Sequence, residues 1–254
     1  MSTELPTALG HMTYRQVEAL LAASAPKLVL LPTGSTEAHG PHLPLLTDSI
    51  IVEEMARRAC LRLREAGYAV VVAPTLHYAV TEWAADFAGS AGISPTSARA
   101  LLTELATRFS TMGFDATVLI NAHLEPDNIA SLRAVEREWQ GPGKLLFPDN
   151  TRRRNAERLS AEFQSGSCHA GQYETSLVLA VAPELVTLEL AQALPKHEVA
   201  LHEHIARGAR SFAECGLDQA YCGDPAHASV AEGHASYDQL AAIVVDAVLA
   251  ALPI

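Results

Sequence analysis

Two short stretches of the sequence each pair a glutamate with a histidine two residues away. Glu37 and His39 lie in the stretch Gly-Ser-Thr-Glu-Ala-His-Gly, and His123 and Glu125 lie in Asn-Ala-His-Leu-Glu. Because extended backbone has a period of two, both side chains of each pair leave the chain on the same side. Imidazole and carboxylate groups are the ligands that hold divalent metals such as zinc. The two stretches are therefore candidate halves of one metal site.

A third carboxylate, Asp48, follows the first pair at the expected start of a helix. There it can cap backbone N–H groups or reach into the site. Three carboxylates and two imidazoles suffice for two ions, and Asp48 is the natural bridge because it stands apart from both pairs. Without thiolates the set suits Zn²⁺, with Mn²⁺ or Fe²⁺ as alternatives. Two such ions ~3.5–4 Å apart can hold a hydroxide that is nucleophilic near neutral pH. The alternative interpretation is a pair of solvated loops and a helix cap.

A further stretch, 167–176, contains Cys168, His169 and Glu174 just before a predicted helix. Imidazole titrates near neutral pH, so His169 is a candidate proton shuttle, or else a helix-terminal histidine bonded to backbone. Glu174 is a candidate partner that orients a ligand histidine, or else a residue that lines a helix. We interpret Cys168 as a buried, unreactive thiol, because nothing in the sequence stabilises a thiolate there.

The elements that must position these residues alternate along the chain between apolar runs and helical patterns. Pro and Gly residues mark the ends of many of these elements. The alternation of strands and helices predicts an α/β fold with a mostly parallel sheet in a single domain, 1–254. The predicted strands are 27–32, 68–73, 116–120 and 145–147, and the predicted helices are 13–25, 47–66, 95–112, 128–139, 172–182 and 236–252. Ligands of such sheets gather beyond the carboxyl ends of the strands, and the two Glu–His pairs follow the first and third strands.

Two polar segments are interpreted as surface features rather than as parts of the site. The stretch 151–167 is the least apolar part of the chain, and we interpret it as a solvated helix rather than as a lid. His197, His202 and His204 are interpreted as an exposed helical face rather than as a second metal site.

The composition excludes several classes of protein. The chain has 254 residues, 49% of them hydrophobic, and a formal net charge of −11. A core of this size excludes intrinsic disorder, and the negative charge argues against binding to nucleic acid. No apolar run is long enough to span a membrane, and Met1–Gly10 lacks the pattern of a secretory signal. Four cysteines without a Cys-x-x-Cys pair fit a reducing, cytoplasmic location.

Taken together, these motifs resemble the creatininase (creatinine amidohydrolase) family. The resemblance rests on 31–48, 121–128 and 169–176, on the following Pro-Glu-Leu-Val, and more weakly on 223–225 with Gly233. It implies a three-layer αβα sandwich that assembles as a homo-oligomer, often a hexamer, with two divalent metals per subunit. Carried over by position, Glu37 and His123 serve one ion, His39 and Glu125 serve the other, and Asp48 bridges them. His169 falls at the family's catalytic histidine.

The resemblance also implies the reaction, which is hydrolysis of a C–N bond in a small-molecule amide, lactam or formamide. We expect His169 and Glu174 to act in catalysis and the substrate to be bound by Tyr78, Thr81, Trp83 and Leu124. Packing at a subunit contact remains the alternative for Tyr78 and Trp83. The chain has no tryptophan between Phe147 and Cys168, where the family's tryptophans close around a flat ring, and this disfavours creatinine itself. The alternatives are a peptidase or deformylase with the same metal site, and a non-catalytic scaffold.

Overall fold

The computed structural model describes residues 6–254, which form an α/β fold. Its strands are β1 (Lys27–Thr33), β2 (Ala69–Val72), β3 (Ala116–Asn121) and β4 (Lys144–Leu146). Its helices are α1 (Tyr14–Leu21), α2 (Thr47–Glu65), α3 (Pro95–Met112), α4 (Pro126–Glu138), α5 (Arg153–Ala156), α6 (Ala161–Ser165), α7 (Gln172–Val181), α8 (Leu188–Ala193), α9 (Leu201–Ala206) and α10 (Val230–Ala251). The four strands form one parallel sheet in the order β2-β1-β3-β4.

The alternation of side chains along β1 divides the interior into two cores. Leu28 and Leu30 join the core formed with α2, α7 and α10, whereas Val29 and Leu31 join the core formed with α1, α3 and α4. Successive side chains of a strand point to opposite faces, so an uninterrupted apolar run is buried on both sides. The result is the three-layer αβα sandwich predicted from the sequence.

Local signals set the ends of the helices that frame the site. Asp48 lies in the first turn of α2, where the helix dipole favours a negative charge. Glu125 is the N-cap residue of α4, and Pro126 follows as its first helical residue. Both helices begin beyond the carboxyl ends of β1 and β3. The fold therefore delivers the predicted carboxylates to one edge of the sheet.

Several expectations differ from the structure in detail. The first helix ends at Leu21, earlier than predicted, and α10 begins earlier, at Val230, because Ser229 caps it. The predicted solvated helix over 151–167 is wrong, because α5 and α6 are short and the segment buries Leu159 and Phe163 in the core. The sequence did not indicate that Leu159 and Phe163 are buried, because two apolar residues in a polar stretch form no periodic pattern.

The predicted exposed helical face of three histidines is only partly present. His202 and His204 lie on α9, but His197 forms an antiparallel bridge to Gly223 instead. Within residues 6–254, no helix is long and apolar enough to cross a membrane. The first five residues, which belong to the stretch tested for a secretory signal, lie outside the described residues.

Candidate metal centre

Five ionisable side chains meet beyond the carboxyl ends of β1 and β3, and each is at most 4% exposed: Glu37, His39, Asp48, His123 and Glu174. The loop after β1 carries the first two, α2 carries Asp48, the loop after β3 carries His123, and α7 carries Glu174. A buried charge is tolerated only where it is paired or coordinates a metal. The cluster must therefore satisfy its charges internally or with bound cations.

Three sets of donor atoms among the described residues could each hold an ion. Two of them, which we call the donor groups, share Asp48: one is Glu37, Asp48 and His123, and the other is His39, Asp48 and Glu174. The third set joins Glu37 and His39 to His169 and lacks Asp48. His123 Nδ1 lies 3.0 Å from Asp48 Oδ2 and 3.2 Å from Glu37 Oε1. His39 Nε2 lies 3.4 Å from Asp48 Oδ1 and 3.5 Å from Glu174 Oε2. Each oxygen of the Asp48 carboxylate thus faces a different group, as a bridging ligand requires.

Backbone carbonyls fix the orientation of both histidine rings. His123 Nε2 lies 2.7 Å from Val80 O, and His39 Nδ1 lies 3.2 Å from Glu37 O. With the N–H of each ring donated to a carbonyl, the other nitrogen faces the carboxylates with its lone pair. This arrangement is typical of metal-ligating histidines, whose second nitrogen is almost always held by a hydrogen-bond acceptor.

With both rings neutral and in this tautomer, four of these buried atoms have no hydrogen-bond partner among the described residues. They are Glu37 Oε2, His39 Nε2, Asp48 Oδ2 and His123 Nδ1. Unpaired buried polar atoms are rare in proteins because each costs about 1–3 kcal/mol, or more when charged. Oxygen and imidazole donors without thiolates suit Zn²⁺ and Mn²⁺. The chemistry of the donor set therefore fits divalent cations.

The protonation of the ion-free cluster follows from its crowding. Burial alone lowers the pKa of His39, but Asp48, Glu174 and Glu37 outweigh burial and raise it to about 10. Burial also opposes the charged form of Asp48, yet His39 and His123 hold the pKa of this carboxyl below its usual value. Burial raises the pKa of Glu174 to about 8. Without metal, protons supply the positive charge that the cluster requires.

Binding of divalent ions is therefore expected to release protons. Deprotonated His39 and His123 are the forms that bind metal, and the pKa of each is raised in the ion-free protein. The apparent affinity should rise with pH, since fewer protons must then be displaced. Calorimetric titration with Zn²⁺ in buffers of different ionisation enthalpy measures the number released. An affinity that does not change between pH 6 and 8, with no proton release, would contradict this reading.

Glu125 lies beside this cluster but outside all the donor groups. Its carboxylate accepts hydrogen bonds from the backbone N–H groups of Glu82 (3.0 and 2.9 Å) and Trp83 (3.1 Å). Burial raises the pKa of Glu125 to about 7, although His123 and these hydrogen bonds act in the opposite direction. The sequence predicted Glu125 beside His39, and the structure does not bring those two together. Glu174 lies there instead, because the first turn of α7 points its carboxylate towards His39.

His169 packs against the ring of His39. The two ring centroids are 4.4 Å apart, and His169 Nε2 lies 3.0 Å from Ala38 O. Burial, together with the neighbouring charge of His39, lowers the pKa of His169 to about 4. The ring is therefore neutral at pH 7. The next residue, Ala170, has a φ of 50°, which is uncommon for a side-chain-bearing residue, and its N–H binds Glu174 Oε2 at 2.6 Å.

A pocket of about 490 Å³, including its open mouth, lies over the cluster. Its floor is polar and includes Glu125 and His169, and its wall is apolar. The wall residues are Trp83, Leu124, Pro126, Leu201, Ile205 and Phe212. A concave site with an apolar wall and a few convergent polar groups is the usual form of a small-molecule site.

Of the four residues predicted to bind substrate, the structure brings Trp83 and Leu124 to this pocket and leaves out the other two. Tyr78 is 56% exposed and does not line it. Thr81 is buried, and its hydroxyl lies 3.2 Å from Ser35 Oγ. No pattern in the sequence indicated Phe212, Leu201 or Ile205, because these apolar residues reach the site only through tertiary packing.

Comparisons with known proteins give matches over most of the chain. A family model described as creatinine amidohydrolase (Creatininase) matches residues 10–248. The mycofactocin precursor peptide peptidase of Mycobacterium ulcerans is 30% identical over 221 residues, which cover 84% of this chain and 80% of that protein. The protein of the same name from Mycobacterium tuberculosis is 32% identical over 236 residues, which cover 89% of this chain and 84% of that protein.

Solved structures show the same fold. A structure described as creatininase Mn superposes with a TM-score of 0.73 at 20% identity, covering 98% of this chain and 100% of that chain. A creatininase variant described as Zn-Zn type gives a TM-score of 0.73 at 19% identity, covering 99% and 100%. The names of both structures include a divalent metal, and the donor groups described above suit one.

Proposed function

The chain belongs to the creatininase family of hydrolases, and we propose that it cleaves a C–N bond of a small amide, lactam or formamide with the help of two divalent ions. Family membership makes it a hydrolase that acts on amide bonds. One observation carries the finer proposal: Asp48 belongs to both donor groups, and its two oxygens face different histidines.

In this proposal Glu37 and His123 hold one ion, His39 and Glu174 hold the other, and Asp48 contributes to both. Zinc is the proposed ion, with manganese or iron as alternatives. Bound there, divalent ions would polarise the carbonyl group of a substrate and would lower the pKa of a bound water molecule to ~7. The buried position of all five side chains keeps their geometry fixed before substrate arrives, and preorganised charge is a large part of catalysis.

Glu125 is the proposed proton acceptor. Its carboxyl lines the pocket, and its pKa, about 7 in the ion-free protein and lower beside bound cations, leaves it ionised and able to take a proton from the attacking water at neutral pH. Breaking a C–N bond then requires a proton on the departing nitrogen. His169 is the proposed carrier of that proton, because a ring whose pKa is about 4 releases a proton readily once it has gained one.

A peptidase that removes a short peptide tail is the second candidate. Both curated relatives described above are named as peptidases of a precursor peptide. A groove beside the pocket shares Trp83, Pro126 and Ile205 with it and adds Asp127 and Arg210 at the surface. This groove gives room for a substrate longer than a small amide.

The hexameric assembly, the cytoplasmic location and the single-domain organisation stay predictions.

A panel of amides tests the function directly. We expect the chain to hydrolyse at least one of creatinine, a five-membered lactam, a formamide and a peptide ending in a dipeptide tail. The rate should vanish after chelation and return with Zn²⁺ or Mn²⁺, because the ions supply the activated water. Hydrolysis of the peptide alone would favour the second candidate. If every substrate stays intact while two ions bind, the chain is a metal-stabilised scaffold instead.

A further inference from the structure

The main chain of residues 80–83 contacts two of the side chains assigned above. Val80 O accepts the hydrogen bond from His123 Nε2 at 2.7 Å. The N–H groups of Glu82 and Trp83 donate to the carboxylate of Glu125 at 2.9–3.1 Å. One short loop therefore sets the orientation of a proposed metal ligand and of the proposed proton acceptor, and it does so without using any of its own side chains.

The same loop reaches a third functional side chain through Phe212. The N–H of Phe212 donates to Trp83 O at 3.0 Å. The ring of Phe212 then stacks against His169, with centroids 4.3 Å apart and planes inclined by 31°. The His169 ring also contacts His39, with centroids 4.4 Å apart. The imidazole of His169 thus contacts both an aromatic ring and a proposed metal ligand.

Contacts outside the pocket fix the loop in place. Thr81 Oγ1 lies 3.2 Å from Ser35 Oγ, and the N–H of Ile93 donates to Ala79 O at 2.8 Å. Gly92 packs directly on the backbone of Thr81, where a Cβ atom would lie 2.7 Å from its oxygen and 2.8 Å from its nitrogen. A side chain at Gly92 would therefore push the loop away from its position, since real Cβ atoms do not approach backbone so closely.

We propose that residues 80–83 form a backbone clamp that positions His123, Glu125 and, through Phe212, His169. This inference rests on the proposed function, because it assigns the clamp to the same reaction. It gives Thr81 a positioning role instead of the substrate contact expected from the sequence. Partners of this kind around a metal site typically change metal affinity or activity by 10–100-fold when they are lost.

A matched pair of variants at Glu82 tests the contact with Glu125. The Glu82 side chain is exposed, so Glu82→Ala keeps the N–H donor, whereas Glu82→Pro removes it. We expect Glu82→Pro to lower kcat by about tenfold or more with little change in KM, and Glu82→Ala to match the original chain. Both variants should bind two Zn²⁺ ions, because His123 keeps its contact with Val80. Equal kcat values in the two variants would overturn this part of the clamp.

A double variant separates positioning from general damage. If Glu82→Pro acts through Glu125, it should cost nothing further in a Glu125→Gln background, where no carboxylate remains to be positioned. If the fold-loss in kcat of the double variant equals the product of the losses in the two single variants, proline at position 82 instead harms the fold as a whole. Thermal unfolding of each variant, compared with the original chain, reports such harm independently.

Gly92→Ala tests the clamp without touching any pocket residue and without an activity assay. In the Co²⁺-substituted protein, we expect a changed visible absorption spectrum and about tenfold weaker Co²⁺ binding, because Val80 O moves away from His123. Gly10→Ala is the matched control, since its backbone is not left-handed and a Cβ atom there would meet only Pro74 Cγ, at an ordinary contact distance of 3.7 Å. An unchanged spectrum and affinity in Gly92→Ala would overturn the clamp even if amide hydrolysis itself were confirmed. If no amide is hydrolysed, this spectrum still tests the clamp while the proposed function fails.

Discussion

Asp48→Ala is expected to leave the chain without either bound ion and to reduce amide hydrolysis by at least ~10³-fold, since the ions supply several kcal/mol of transition-state stabilisation. Asp48 is 1% exposed and belongs to both donor groups, so its loss removes one ligand from each. The four remaining ligands then include no shared carboxylate that could hold two cations close together. Elemental analysis and the amide assay, applied to the same preparation, measure both effects.

Two further variants make the Asp48 result specific. Glu53→Ala removes an exposed carboxylate from the same helix and should keep both ions and full activity. Glu174→Gln weakens only the group that contains His39 and should leave one ion firmly bound. Retention of two ions by Asp48→Ala would refute the shared ligand, and loss of both by Glu174→Gln would refute the division into two groups.

Glu125→Gln is expected to keep both ions and to lower kcat by about 10²–10⁴-fold, the usual contribution of a general base. Glutamine preserves the size of the side chain and can still accept the N–H groups of residues 82 and 83, but it cannot take a proton. In the original chain, kcat/KM should rise with pH as the Glu125 carboxyl ionises. The pKa of about 7 in the ion-free protein sets the upper end of that rise, because bound cations lower the value.

The pH profile of Glu125→Gln separates this role from metal binding. The rise in kcat/KM near or below pH 7 should be absent, while the number of bound ions should equal that of the original chain. Glu138→Gln, at the exposed end of the same helix, is the control and should change neither. If Glu125→Gln loses an ion, Glu125 is a ligand, as the sequence spacing predicted.

The sequence predicts the fold well because its signals are local. Uninterrupted apolar runs identify β1 and β3, and proline and glycine mark the ends of the neighbouring helices. The rule that ligands gather at the carboxyl ends of parallel strands then leads to Glu37, His39, Asp48 and His123 without further information. These four residues lie near strand ends or a helix start, so the order of elements alone brings them together.

The choice between Glu125 and Glu174 could not be made in this way. Glu125 is two residues from His123, and alternation places both side chains on one side of the chain. The N–H groups of residues 82 and 83 nevertheless hold the Glu125 carboxylate apart from His39. Glu174 lies beside His39 instead, because α7 packs against α2 and because Ala170, whose N–H donates to Glu174, adopts a left-handed conformation. Both causes are tertiary, and no spacing in the sequence reports them.

The apolar wall of the pocket shows the same limit. Phe212 belongs to a small separate core that joins residues near Trp83 to the segment 199–222. Nothing in the spacing of these residues indicates a site, because their positions depend on how two distant segments pack. The choice of substrate therefore depends on the pocket wall, which is the part of the site that the sequence predicts least well.

The number of divalent ions bound by one chain tests the central claim most directly. Calorimetric titration of the metal-free protein with Zn²⁺ should give two ions per chain in the original protein and none in Asp48→Ala. One ion per chain in the original protein, or an unchanged stoichiometry in Asp48→Ala, would contradict a pair of cations held around a shared carboxylate.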